Sequence, residues 1–63
     1  MQIIEAEDFE IIVRLFKVLK AKEGKAFTVE TMLETVQLHF PRYRGVDTRT
    51  LTTDCKMAME KAG

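Results

Sequence analysis

A chain of 63 residues has room for one domain, residues 1–63, and a domain of this size buries only about 60% of the surface that its unfolded chain exposes. The hydrophobic fraction of 46% and the charged fraction of 32% are typical of a folded, water-soluble protein rather than a disordered one. Ten basic residues balance ten acidic ones, and this zero net charge argues against the strongly basic composition of many nucleic-acid-binding proteins.

The sequence offers little that could carry chemistry. It contains one cysteine, Cys55, and one histidine, His39, too few for a zinc site. Cys55 is predicted to face the core, where a thiol has a raised pKa and is a poor nucleophile. Glu30 and Glu34 lie four residues apart on what should be an exposed helical face. We therefore expect no enzyme activity, no cofactor, no metal and no small-molecule substrate.

Location is predicted from two further features. The N-terminus has no basic segment before an apolar stretch, so it does not have the pattern of a signal peptide, and a single unpaired thiol favours the cytoplasm. The apolar stretch from Phe9 to Leu19 is interrupted by three charged residues and is too short to cross a membrane.

The first helix is predicted from Asp8, as N-cap, to a stop at Gly24. Acidic residues precede basic ones along it, with a charge of −4 over residues 1–13 and +4 over residues 14–25, which complements the helix dipole. It carries two apolar stripes, the first made of Phe9, Ile12, Val13, Phe16 and Leu19 and the second of Ile11, Leu15 and Val18. A helix this apolar needs cover on two sides, so we expect it to be the central helix.

Two more helices follow. Thr28 should cap the second, with Phe27 and Met32 packing across its start, and Pro41 should end it. After a loop over residues 41–45, Asp47 should cap the third, whose predicted buried stripe is Leu51, Cys55, Ala58, Met59 and Ala62. The fold class is therefore all-α, a three-helix bundle of helix-turn-helix type. Residues 1–7 form either a short strand or an extended arm, and we favour the arm.

This order of elements resembles the trihelical DNA-binding domains, in particular the helix-turn-helix and winged-helix superfamily without its wing. The run from Thr28 to Ala58 is also similar to the DEK C-terminal domain. The resemblance implies a transcription regulator that binds double-stranded DNA through the third helix. The residues it implicates point away from the predicted core or lie in the preceding loop: Arg42, Tyr43, Arg44, Arg49, Thr52, Thr53 and Lys56.

A second hypothesis is a protein-protein interaction module. Three short helices leave the second stripe of the first helix without obvious cover, so Ile11, Leu15 and Val18 would form a seam for a homodimer or for a larger protein partner. Ile3, Ile4 and Met57 are the residues that would extend this patch.

Overall fold

A computed structural model describes residues 3–63 and contains three α-helices: α1 (Ala6–Glu23), α2 (Val29–His39) and α3 (Thr48–Ala62). Single 3₁₀ turns, Gly24–Ala26 and Pro41–Tyr43, lie in the two connections, and residues 3–63 include no β-strand. The predicted all-α, three-helix bundle is confirmed.

Local sequence signals account for most of the helix ends. Gly24, at φ 57°, ends α1, and its N–H donates to the carbonyl of Lys20. The Thr28 hydroxyl accepts from the N–H of Thr31 and caps α2. At the start of α3, the Asp47 carboxylate accepts from the N–H of Arg49 at 3.2 Å.

The predicted cap at Asp8 is wrong. Helix α1 begins at Ala6, after an extended Glu5, and Asp8 lies inside its first turn with a buried side chain. Its Oδ2 accepts a hydrogen bond from the Tyr43 hydroxyl at 2.5 Å, so its partner is 35 residues away rather than in its own helix. Glu7 and Asp8 at the start of α1, and Lys20 and Lys22 at its end, do complement the helix dipole as expected.

The central helix is α3, not α1 as predicted. It packs extensively against both other helices, whereas the backbones of α1 and α2 come close to each other at few positions. Small side chains at Cys55, Ala58 and Ala62 allow this close packing, and Phe16 and Phe27 contribute bulk through an edge-to-face contact with centroids 5.3 Å apart. Because α3 occupies the middle, α1 is covered mainly on the side that faces α3.

A buried aspartate holds the N-terminal arm. The side chain of Asp54 is only 1% exposed, and its Oδ2 accepts from the backbone N–H groups of Ile3 at 2.7 Å and Ile4 at 3.1 Å. The arm covers residues 3–5, since Ala6 and Glu7 belong to α1; Met1 and Gln2 lie outside the described residues. Ile4 is buried in the core and Ile3 packs against it, so neither extends an exposed patch.

Removing this acceptor should release the arm. We expect Asp54→Ala to lower the free energy of unfolding by about 1–3 kcal/mol, because the buried N–H of Ile4 and the partly buried N–H of Ile3 lose their partner, and to speed hydrogen exchange at both amides. Urea unfolding and exchange monitored by NMR check both effects. Glu60→Ala, which removes an exposed acid from the same helix, should change stability by less than about 0.5 kcal/mol. Equal effects of the two substitutions would contradict the role assigned to Asp54.

Candidate interaction surfaces

An apolar strip runs along the side of α1 that the bundle leaves uncovered. It consists of Ile11, which is 45% exposed, the half-buried Leu15, and Val18, which is 65% exposed. These residues are spaced four and three apart, so they share one face of the helix. We call them the α1 strip. The second apolar stripe predicted from the sequence is therefore at the surface.

The α1 strip opens into a groove that ends at α2. The groove has a volume of about 300 Å³ and is lined by Ile11, Arg14, Leu15, Val18, Leu19 and His39. Nδ1 of His39 lies 2.9 Å from the carbonyl oxygen of Thr35. A carbonyl oxygen can only accept a hydrogen bond, so Nδ1 is the donor and the ring is held to its own helix. This contact orients the imidazole at the edge of the groove.

Leu38 adds exposed apolar surface on the last turn of α2, the turn that also carries His39. It is 68% exposed and precedes His39 on the last turn of α2. Sequence analysis did not single it out, although one signal was available: Leu38 falls between Gln37 and His39, off the apolar face of α2. An isolated exposed leucine needs no explanation by itself. Its neighbour in the chain, His39, lines the groove.

Met57 does not join the α1 strip. It is 44% exposed but lines a different depression, shared with Phe9 and Glu10 on the other flank of α1. The expectation that Met57 extends the patch is therefore wrong.

The outer face of α3 carries a small polar set. Arg49, Thr53 and Lys56 are exposed together with Glu60, and Thr52 is half-buried. The hydroxyls of Thr52 and Thr53 donate to carbonyls of their own helix, those of Thr48 at 2.6 Å and Arg49 at 3.1 Å. Their protons are therefore engaged within α3, and Arg49 and Lys56 are the cations that this face presents.

The loop before α3 is less available than predicted. Tyr43 was expected to reach phosphates or stack on a base, but it is 4% exposed and its ring lies in the core. Burial, and the hydrogen bond that its hydroxyl donates to Asp8, raise the pKa of Tyr43 above its ordinary value of 10.0. The expectation that Tyr43 faces outward is therefore wrong.

The two loop arginines differ in how they are engaged. Arg42 pairs with Glu5 at 3.1 Å and with Asp8 at 3.3 Å, and its guanidinium lies 5.7 Å from the centre of the Tyr43 ring. Arg44 is exposed, and its Nε donates to the carbonyl of Gln37 at 3.2 Å. The structure thus brings Arg49, Thr53 and Lys56 onto one face, while Arg42 and Tyr43 belong to contacts that hold the loop to α1.

The described residues contain no group of three or more metal-ligating side chains, and none of their helices is long and apolar enough to cross a membrane. Cys55 is buried in the core as predicted, and burial, with a smaller contribution from the nearby Asp54, raises the pKa of its thiol from 9.0 to about 11. A thiol with that pKa is almost entirely protonated at neutral pH.

Comparison with protein-family models, with characterised proteins and with solved structures finds no match to this chain.

The environment of Cys55 predicts slow alkylation. At pH 8 a thiol with a pKa of about 11 has roughly a hundredfold less thiolate than one with a pKa of 9.0. Iodoacetamide should therefore modify native Cys55 at least that much more slowly than an exposed thiol, with a rate that rises as the pH approaches 11. A Thr53→Cys, Cys55→Ala variant, which places the single thiol on the outer face of α3, supplies the exposed control. Equal rates for the two proteins would contradict the burial of Cys55.

Proposed function

We propose that this protein is a small binding module that works by docking another protein onto the α1 strip and onto Leu38 at the end of α2. One observation carries the proposal: of the four large hydrophobic side chains that are strongly exposed in residues 3–63, Ile11 and Val18 line the same groove, and a third, Leu38, precedes the groove residue His39 in the chain. Exposed apolar residues that cluster in this way mark interaction sites more often than isolated ones do.

The energetic gain from covering this surface is large enough to matter. Full burial of a valine, leucine or isoleucine side chain stabilises by roughly 1.5–3 kcal/mol, so covering three partly exposed ones contributes a few kcal/mol to binding. The groove supplies a concave surface for a partner side chain, and Arg14 and His39 at its edge supply polar groups. A cytoplasmic location, favoured by the free thiol of Cys55, is part of this proposal.

Site-specific photocrosslinking tests the docking surface. With benzoylphenylalanine at Val18 or at Leu38, we expect covalent adducts in the cells that make the protein, because both positions would lie within a bound partner's reach. The same group at Thr53, exposed on the outer face of α3, is the matched control and should give few adducts. Adduct yields at positions 18 and 38 no higher than at position 53 would refute docking through α1.

A second candidate function is DNA binding through α3, as in a small transcription regulator of helix-turn-helix type. Its support is the placement of Arg49, Thr53 and Lys56 together on the outer face of that helix. It ranks second because Glu60 shares this face, Arg42 is paired with two carboxylates, and Tyr43 is buried. Few cations then remain to neutralise phosphates.

An NMR titration with a generic DNA duplex tests this second candidate. If α3 binds DNA, changes in amide chemical shift should concentrate between Arg42 and Lys56. The affinity should also fall steeply as the salt concentration rises from about 50 to about 200 mM, because binding to phosphates releases counterions and added salt opposes that release. Replacing Arg49 and Lys56 together with alanine should weaken binding roughly tenfold or more. The pair Lys17→Ala, Lys25→Ala removes the same charge from exposed positions outside α3. An equal loss in this control would mean that binding is non-specific and that α3 has no particular part in it.

A further inference from the structure

We infer that the partner that covers the α1 strip is a second copy of this chain, with the two α1 helices packed antiparallel around a two-fold axis beside Leu15. This inference rests on the proposed function, since it names the occupant of the same surface. It depends on the arrangement of charges at the two ends of the strip.

The line of the α1 strip continues to a charged residue at each end. Glu7 lies four residues before Ile11, and Lys22 lies four residues after Val18, so both fall on the same face of α1. Both side chains are exposed. In order, this line reads acid, isoleucine, leucine, valine, base, and the exposed Arg14 lies on its flank beside Leu15.

This order is complementary to itself when it is reversed. With a rise of about 1.5 Å per residue, Glu7 and Lys22 lie about 12 and 10.5 Å from Leu15 along the helix, and Ile11 and Val18 about 6 and 4.5 Å from it. A two-fold axis at Leu15 would therefore place the two Leu15 side chains together. Ile11 would lie opposite Val18 of the second copy, and Glu7 opposite its Lys22.

The charges also select the orientation. A parallel pair would bring Glu7 next to Glu7 and Lys22 next to Lys22, with like charges together at both ends. The antiparallel pair brings opposite charges together at both ends. A closed two-fold contact of this kind uses the same patch on both copies, as most homodimers do. The separation of acidic and basic residues along α1, which stabilises the helix through its dipole, would thus also specify how two molecules pair.

The size of the patch sets the expected affinity of the dimer. One helix face is smaller than the surface of a stable interface, which buries roughly 1,200 Å² or more in total. We therefore expect a reversible dimer with a dissociation constant in the micromolar range or weaker, so its population depends on protein concentration.

Analytical ultracentrifugation of the purified protein between about 10 µM and 1 mM tests the dimer, with circular dichroism as the check on folding. The wild type should pass from monomer to dimer across this range. Val18→Glu should remain a folded monomer, because position 18 is already largely exposed in the single chain and only the pairing would bury the new charge. A wild type that stays monomeric at 1 mM would overturn the inference.

Charge exchange tests the antiparallel orientation. Glu7→Lys places two lysines opposite each other at both ends, and Lys22→Glu places two glutamates there, so each variant alone should dimerise roughly five- to tenfold more weakly at low salt. An equimolar mixture of the two variants should form a heterodimer about as tightly as the wild type dimerises, because opposite charges then meet at both ends. A mixture that dimerises no better than its components would overturn the antiparallel arrangement.

These outcomes are separable from those of the docking proposal. A monomeric wild type whose residue 18 still crosslinks to a different protein would overturn the self-pairing and leave docking through α1 intact. A loss of crosslinks at both positions 18 and 38 would overturn docking itself.

Discussion

The position of α3 between the other two helices is the constraint on which the rest of the molecule depends. In this chain the small residues Cys55, Ala58 and Ala62 let α3 pack closely against both α1 and α2. Helix α1 carries two apolar stripes, yet it is covered mainly on the side facing α3. Its second apolar stripe then remains in solvent, where it forms the α1 strip and the groove beside it. The candidate binding surface is thus a consequence of the packing of α3 between the other two helices.

Polar contacts inside the core tie distant parts of the chain together. Asp54 binds the backbone of the arm, and Asp8 binds both Tyr43 and Arg42 in the loop before α3. Buried polar groups require such partners, because leaving them without one costs more free energy than the hydrogen bond gains. These contacts also decide which residues are available for other molecules, since a tyrosine and an arginine that suit nucleic acid in type are already used to hold the fold.

The two candidate functions use different surfaces and do not exclude each other. The α1 strip and the outer face of α3 lie on different helices, so a dimer formed through α1 would leave Arg49, Thr53 and Lys56 accessible on each copy. Many DNA-binding proteins are two-fold dimers that present one recognition helix from each chain. The apolar surface is the better-supported of the two because exposing it costs free energy, whereas a polar helix face is the ordinary outer surface of a folded domain.

The sequence by itself determined the features that depend on near neighbours. Helical periodicity predicted the three helices, and Gly24, Thr28, Pro41 and Asp47 marked most of their ends, because a cap or a stop involves backbone groups within four residues. It also predicted the second apolar stripe of α1, and an exposed stripe was one of the two alternatives that it left open. Only the tertiary structure decided the central helix, the groove between the α1 strip and His39, and the burial of Asp8, Tyr43 and Asp54. The side-chain hydrogen bonds of those three residues span 35 to 51 positions, and no local pattern records which distant groups the packing of three helices will bring together.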